Sequence, residues 1–120
     1  MKRRTYSRNP GCPVEVTLDA IGGKYKGMLL YHLLGGTKRF GELRKLLPGV
    51  TQRMLTLQLR ELEAVGIVHR EVFAVVPPRV DYSLTTMGRS LGPIVRLMQD
   101  WGAEHMDQVQ RALRAAAGEG

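Results

Sequence analysis

The segment "TQRMLTLQLR", residues 51–60, carries side chains whose types and spacing suit hydrogen bonding to nucleobases. Arginine can donate two hydrogen bonds to guanine, glutamine can pair in a similar way with adenine, and threonine offers a hydroxyl or a methyl group. The candidates in this segment are Thr51, Gln52, Arg53, Thr56, Leu57 and Arg60. If one rigid element displayed them together, they could read the edges of base pairs in a DNA major groove.

A helix over this segment would display these candidates on the side away from an apolar stripe. With about 100° per residue, Leu55, Leu59 and Leu62 fall within about 60° of one another. On the same scale, Arg53 and Arg60 lie about 140–160° from Leu55. The leucines predict a buried face and the arginines an outward face. The simpler interpretation of the arginines is an ordinary solvated helix surface.

The two ends of this predicted recognition helix are also marked in the sequence. Thr51 is a typical N-cap residue, and Gly66 is typical of the position just after a helix. Leu57 is the one apolar residue that faces outward with the arginines. It could touch a thymine methyl group or face a neighbouring loop, and both interpretations remain open.

The charge of the chain is concentrated in its first half. The formal net charge is +7 over 120 residues. Residues 1–60 contain twelve Lys or Arg against three acidic residues, whereas residues 61–120 contain six against eight. Such a division favours a polyanion-binding face over a uniform solubilising charge.

Basic residues outside the recognition helix are candidates for contacts with a nucleic-acid backbone. The phosphate-contact candidates are Lys24, Lys26, Lys38 and Arg39. Arg79 follows two prolines at the tip of a predicted β-hairpin, from which it could enter a minor groove. The alternative is that Arg79 pairs with Asp81 or Glu71.

The sequence offers little chemistry of the catalytic or metal-binding kind. His32, His69 and His105 are far apart and share no ligand spacing typical of a zinc site. The glycine-containing segment "GGTKRFG" lacks the Gly-Lys-Ser/Thr ending of a phosphate-binding loop, and no serine lies in a nucleophile-elbow motif. We therefore expect no enzyme, no metal site and no cofactor.

Cys12 is the single cysteine of the chain. It precedes Pro13 at the predicted start of a helix, and Arg8 lies nearby in sequence, so both the helix dipole and the arginine favour a thiolate. Such a thiolate could react with an electrophile, a small thiol or another subunit. The alternative is a partly buried structural cysteine.

The elements needed to position these residues can be predicted from periodicity and breakers. We expect helices over 13–21, 24–34 and 40–47, the recognition helix, an extended piece over 37–40, strands over 67–75 and 79–84, and a long helix from 86 that Pro93 should kink. The expected inward residues of the second and third helices are Met28, Leu29, Leu33, Leu34, Phe40, Leu43, Leu46 and Leu47. A helix-turn-helix followed by a β-hairpin is the order of a winged helix, a mainly α fold.

The last predicted helix carries more apolar surface than a domain of this size can cover alone. Its apolar residues at helical spacing include Ile94, Leu97, Met98, Trp101, Val109 and Leu113. This favours a homodimer with an isologous interface. The alternative is that these residues pack back onto the core of their own chain.

Length and hydropathy suggest one domain preceded by a basic arm. We expect the arm over residues 1–11 and the winged helix-turn-helix domain, with its dimerisation helix, over residues 12–116. No apolar run approaches the roughly 20 residues that span a bilayer, and no signal-peptide segment follows the basic start. We therefore expect a cytoplasmic protein.

Several separated motifs resemble the HxlR-type regulators, relatives of the MarR group. They are "CPVEVTLDAIGGKYK", "RFGELRKLLPGVTQRMLTLQLRELEAVGIV", "VPPRVDYSLTTMGRSL" and "MQDWG", which together cover roughly residues 10–105. The chain departs from the family pattern at Tyr25, where Trp is usual, at Leu57, where Gln is usual, and across residues 73–76 at the approach to the wing.

The resemblance implies a bacterial or archaeal winged helix-turn-helix transcription factor that binds a double-stranded DNA operator as a homodimer. Such dimers join through their first and last helices, which adds Val14 and Leu18 to the expected interface. Some members sense oxidants or electrophiles through the cysteine that corresponds to Cys12. Regulation of nearby genes by repression is the expected outcome.

One different class of function competes with this hypothesis. A winged helix can serve only as a protein–protein module, with its basic face against an acidic partner. The outward arginines of the recognition helix and Arg79 at the hairpin tip favour DNA instead. RNA binding is disfavoured because the sequence lacks the aromatic platform on which such folds stack bases.

Overall fold

Helices and short strands alternate along residues 12–118, the part of the chain that the computed structural model describes. The elements are α1 (Pro13–Ile21), α2 (Lys26–Leu34), β1 (Lys38–Arg39), α3 (Phe40–Leu46), α4 (Gln52–Val65), β2 (Val68–Phe73), β3 (Arg79–Leu84), α5 (Thr86–Arg89) and α6 (Gly92–Ala116). This order confirms the predicted mainly α winged helix-turn-helix. The predicted basic arm, residues 1–11, lies outside the described residues.

Helix α4 begins and ends at the residues that the sequence indicates. The hydroxyl of Thr51 accepts a hydrogen bond from the backbone N–H of Met54 at 3.1 Å. Gly66 has a φ of +90°, a left-handed conformation that glycine adopts without steric cost, and its N–H bonds to Glu63 O at 3.0 Å. Gly49, with a φ of +89°, turns the chain between α3 and α4. Both predicted ends of the recognition helix are confirmed.

The three strands form one antiparallel sheet in the order β1-β3-β2. Strand β1 is the extended piece expected between the second and third helices, and Lys38 stands opposite Tyr82. Strands β2 and β3 pair from Val68 opposite Leu84 to Phe73 opposite Arg79. The sheet therefore attaches the start of α3 to the wing hairpin.

Leucine fills the core where α2, α3 and α4 meet the sheet. The largest fully buried side chains are Leu29, Leu30, Leu43, Leu55, Leu59, Leu62, Ile67 and Val68. Tyr82 from β3 and Val95 from α6 are buried in the same cluster. The buried leucines of α4 are those of the predicted apolar stripe, so this stripe anchors the recognition helix.

Two residues expected in the core are exposed instead. Met28 is 41% exposed because α2 buries Leu29 and Leu30 in the core and turns Met28 toward a groove beside α1 and α6. Leu46 is 40% exposed because it lies at the end of α3, where Leu47 occupies the core position. Both predictions were wrong because apolar periodicity does not show which neighbouring elements cover a residue.

The expected kinked helix is two helices. The hydroxyl of Thr85 caps α5 by accepting a hydrogen bond from Gly88 N–H at 3.0 Å, as predicted. The chain then breaks at Ser90 and Leu91, and Pro93 lies in the first turn of α6 rather than in a helix interior. Proline has no backbone N–H to donate, which costs nothing in a first turn. Pro93 therefore starts a helix instead of bending one.

Candidate nucleic-acid interface

The recognition helix α4 presents the predicted side chains opposite its buried stripe. Gln52, Arg53 and Arg60 are exposed, as is the capping residue Thr51. Thr56 and Leu57 are half-buried. The structure thus brings the six candidates together along one side and one end of α4.

Both carboxylates of α4 pair with basic residues of other elements. Glu61 and Glu63 lie in the second half, where Glu61 pairs with Lys26 and Glu63 pairs with Arg70. Among residues 12–118, no carboxylate lies within ion-pairing distance of Arg53 or Arg60. These two guanidinium groups therefore remain available for an external acceptor, and Arg53 lies in the first turn, at the positive end of the helix dipole.

Lys26 does not suit the phosphate-contact role that the sequence predicted. Its side chain is only 11% exposed, and its Nζ lies 2.5 Å from Glu61 Oε1. An ammonium group that is buried and paired in this way cannot reach a DNA backbone without breaking the pair. The structure therefore removes Lys26 from the set of phosphate-contact candidates.

The other three phosphate-contact candidates keep accessible side chains in different places. Lys38 is half-buried, with its Nζ 3.5 Å from Gly36 O, and Arg39 is exposed at the start of α3. The N–H of Arg39 donates a 2.8 Å hydrogen bond to Glu42, which fixes the backbone there. Lys24 is exposed beside the groove between α1, α2 and α6, with its Nζ 5.4 Å from the centre of the Tyr25 ring.

Arg79 adopts the alternative that the sequence left open. Its Nε lies 3.3 Å from Asp81 Oδ1, and its guanidinium carbon lies 4.2 Å from the centre of the Phe73 ring. The side chain is 37% exposed. Arg79 is thus held on the wing by a carboxylate and an aromatic ring, which contradicts a freely extended arginine at the hairpin tip. Entry into a minor groove would require release from Asp81.

Buried and paired residues behind α4 link it to the wing. Arg70 of β2 reaches Glu63 of α4 with an Nε–Oε1 distance of 3.5 Å. Tyr82 of β3 packs near Phe40 at the start of α3, with ring centres 6.4 Å apart. Burial raises the pKa of Tyr82, and Glu63 raises it further, whereas Arg70 and Arg60 act in the opposite direction. The Arg70–Glu63 pair and the packing of Tyr82 near Phe40 therefore connect the wing to the helix-turn-helix.

Sequence reasoning missed the ion pairs that connect α4 to other elements. Glu61, Glu63 and Arg70 carry no motif of their own, and their partners lie on other elements. The sequence of α4 does not distinguish these carboxylates from solvated ones, since Glu61 directly follows the exposed Arg60.

Cys12 occupies the predicted position at the start of α1. It is the N-cap residue, it is partly exposed, and its carbonyl oxygen accepts a hydrogen bond from Val16 N–H at 3.2 Å. Its thiol makes no capping hydrogen bond. Arg8, the residue expected to favour a thiolate, lies outside the described residues.

The residues expected at a dimer interface form an apolar surface on α1 and α6. Val14 is 67% exposed, Leu97 68%, Trp101 58% and Leu113 64%. Leu18, Ile94 and Met98 are also exposed, and Val109 is half-buried. An open groove of about 850 Å³ runs between α1, α2 and α6 beside this surface. Most of these residues do not pack onto the core of their own chain, which was the alternative to dimerisation.

Within residues 12–118, no cluster of three His, Cys, Asp or Glu side chains could hold a metal ion. No helix in that range is both long and apolar enough to cross a bilayer.

Known proteins similar to this chain are regulators of transcription. The family model described as HxlR-like helix-turn-helix matches residues 20–110. The uncharacterized HTH-type transcriptional regulator YybR of Bacillus subtilis (strain 168) is 60% identical over 109 residues, which cover 91% of this chain and 87% of that protein.

Two solved structures of the redox regulator HypR are also similar. The oxidized form is 66% identical with a TM-score of 0.74, and covers 78% of this chain and 96% of its own. The reduced form is 61% identical with a TM-score of 0.79, and covers 83% of this chain and 99% of its own. The chain therefore belongs to the HxlR-like helix-turn-helix family and is a transcriptional regulator, not an enzyme.

Proposed function

We propose that the chain binds a specific double-stranded DNA operator as a homodimer in the cytoplasm and represses neighbouring genes. One observation carries this proposal: α4 exposes Arg53 and Arg60 opposite its buried leucine stripe, and their guanidinium groups have no carboxylate partner among residues 12–118. A recognition helix of this kind presents its first turns to base edges in the major groove.

The residues of the interface would have different tasks. Gln52 and Arg53 in the first turn of α4 are placed for base contacts, and Arg60 lies two turns further along the same side. Lys38 and Arg39, between α2 and α3, would contact phosphates and fix the register without reading sequence. Arg79 would reach DNA only if it exchanged Asp81 for a phosphate or a groove.

The homodimer would join the apolar surfaces of α1 and α6 in two copies of the chain. An isologous contact of this kind would cover the side chains of Leu97, Trp101 and Leu113, which are large, apolar and exposed. Two recognition helices would then address half-sites about 34–36 Å apart, one turn of DNA. Operators with approximate two-fold symmetry are therefore expected.

A redox response through Cys12 is the second part of the proposal. It is supported by the two HypR structures, which are described as oxidized and reduced forms of a redox regulator. A peroxide would oxidise the Cys12 thiolate to a sulfenic acid and leave as the alcohol or water. The sulfenic acid would then condense with a thiol, either a small thiol or Cys12 of a second copy, to form a disulfide and release water.

The first experiment is a selection of bound duplexes from a random pool, followed by binding assays with the selected operator. The proposal predicts a symmetric operator that binds about 10³-fold or more tightly than unrelated DNA at the same salt concentration. If the purified protein binds no duplex even at low ionic strength, the DNA-binding proposal is wrong and a protein–protein role is favoured.

The second experiment tests the redox response with Cys12→Ser. Treatment with peroxide or diamide should change operator affinity in the parent and leave the variant unaffected. An equal response of both proteins would eliminate Cys12 as the sensor, and DNA binding itself would remain as measured in the first experiment.

A further inference from the structure

A buried ion pair connects the start of α2 with the recognition helix. Lys26 Nζ lies 2.5 Å from Glu61 Oε1, and the two side chains are 11% and 30% exposed. The residues are 35 positions apart in sequence. Neither residue belongs to the base-contacting face of α4.

Burying such a pair is an inefficient way to stabilise a fold. The cost of removing two charges from water is of the same order as their attraction, and two apolar residues often stabilise a protein equally well. What a buried ion pair adds is a constraint on position, because a buried charge that loses its partner is strongly destabilising and the two elements must therefore keep the groups together. The pair therefore has more value for the placement of α4 than for the stability of the domain.

Helix α2, which carries Lys26, also contacts α6, the proposed dimerisation helix. The hydroxyl of Tyr31 on α2 accepts a 3.3 Å hydrogen bond from Gln99 of α6. The methyl group of Met98, which also belongs to α6, lies near Gly27, the residue next to Lys26. A continuous set of contacts therefore runs from α6 through α2 to Glu61 of α4.

We infer that Lys26 and Glu61 are positioning residues that fix the orientation of α4 relative to α6. This inference rests on the proposed function, in which α6 joins two copies and each copy supplies one α4. The ion pair would then set the distance and angle between the two recognition helices. It would determine how strictly the dimer discriminates between operators of different half-site separation.

A second ion pair on α4 provides a matched control. Glu63 pairs with Arg70 of β2 at 3.5 Å, and both side chains are at least 40% exposed. This pair lies two residues from Glu61 but connects α4 to the wing and not to α2. Its removal changes the same number of charges on the same helix and leaves the connection to α6 intact.

The experiment compares two double variants of the full chain on the selected operator. Lys26→Met/Glu61→Met should unfold at or above the parent temperature, because the desolvation cost disappears. Its operator affinity should nevertheless fall about tenfold, while its affinity for unrelated DNA stays within about twofold. The double variant should bind operators whose half-site separation is changed by about one or two base pairs almost as tightly as it binds the selected operator.

The control variants define the alternative outcomes. Arg70→Met/Glu63→Met should keep the preference of the parent for the original half-site separation. Lys26→Arg, which preserves the charge, should keep it as well. If Lys26→Met/Glu61→Met does not fold, Lys26→Gln/Glu61→Gln, which leaves no buried charge unpaired and keeps both sites polar, should show the same loss of preference in weaker form.

Two results overturn the inference, and they are distinguishable. Parent-like affinity and spacing preference in Lys26→Met/Glu61→Met, or in Lys26→Gln/Glu61→Gln if the Met variant is unfolded, would overturn the positioning role alone. Failure of the parent itself to bind any duplex would overturn the proposed function and the positioning role together.

Discussion

Arginines of the same winged helix differ in what their guanidinium groups contact. Arg70 and Arg79 pair with carboxylates of their own chain, whereas Arg53 and Arg60 have no such partner among residues 12–118. A positive charge that is already paired gains less from a phosphate or a base, because it must first give up its partner. Pairing within the chain therefore separates structural arginines from those offered to a ligand.

Lys38 should contact a DNA phosphate and should make no contact with a base edge. We expect Lys38→Ala to weaken binding to the operator and to unrelated duplexes by similar factors. The slope of log affinity against log salt concentration should decrease by about one unit, because one phosphate contact is lost. Titrations at several salt concentrations measure this slope. A loss confined to the operator would instead make Lys38 a base-reading residue.

The position of helix α4 depends on the residues at its two ends as well as on its leucine stripe. The cap at Thr51 and the left-handed Gly66 define where the helix begins and ends. The N–H of Ile67, which follows Gly66, bonds back to Leu62 O at 3.0 Å. Strand β2 therefore starts in a direction that the end of the recognition helix determines.

Gly66→Ala should destabilise the fold because alanine disfavours a φ of +90°, and its Cβ would lie 3.3 Å from Met87 Cε. We expect the free energy of unfolding to fall by about 1–2 kcal/mol, measured by chemical denaturation. Gly41→Ala is the control, because Gly41 lies in α3 with no atom within 4 Å of the added Cβ. That substitution should be neutral or stabilising by up to about 1 kcal/mol. Equal effects of both substitutions would contradict the assigned role of Gly66.

The sequence was sufficient to predict the recognition helix because its signals are local. Its cap, its stop and its two faces follow from residues within one segment, and Leu55, Leu59 and Leu62 are buried as the helical period requires. The order of helices and strands follows from similar signals. The break before Pro93 was missed because a proline that starts a helix and one that kinks it look alike in sequence.

Contacts between distant residues could not be predicted in the same way. Lys26 was assigned to phosphate binding because nothing near it in sequence indicates Glu61 as its partner. Asp81 was recognised as one alternative partner for Arg79 because the two lie on the same strand. Met28 was placed in the core because periodicity does not reveal the groove formed with α1 and α6.

The long helix α6 presents an apolar surface that the described residues of its own chain leave exposed. It extends for 25 residues, about 37 Å, and its exposed Leu97 and Trp101 lie on one side of it. Val95 is its one buried large apolar side chain within the described residues. An apolar surface of this kind is best explained by a second copy of the chain.

Leu97→Glu should weaken the dimer by about tenfold or more, because a carboxylate would be buried in an apolar interface. The monomer fold should tolerate the change, since Leu97 is 68% exposed. Ala103→Glu is the control, because Ala103 lies about 160° around the helix from Trp101. Sedimentation over a range of protein concentrations measures the dimer dissociation constant of each variant. If Leu97→Glu remains as dimeric as the control, the α6 interface is assigned incorrectly.

Arg53 is the arginine in the first turn of α4, so Arg53→Ala should show whether the exposed face of this helix reads base edges. The measurement is the affinity of parent and variant for the selected operator and for an unrelated duplex at one salt concentration. We predict a loss of about 1–3 kcal/mol on the operator, with a much smaller loss on the unrelated duplex. An operator affinity that is unchanged by Arg53→Ala would contradict the assignment of α4 to the major groove.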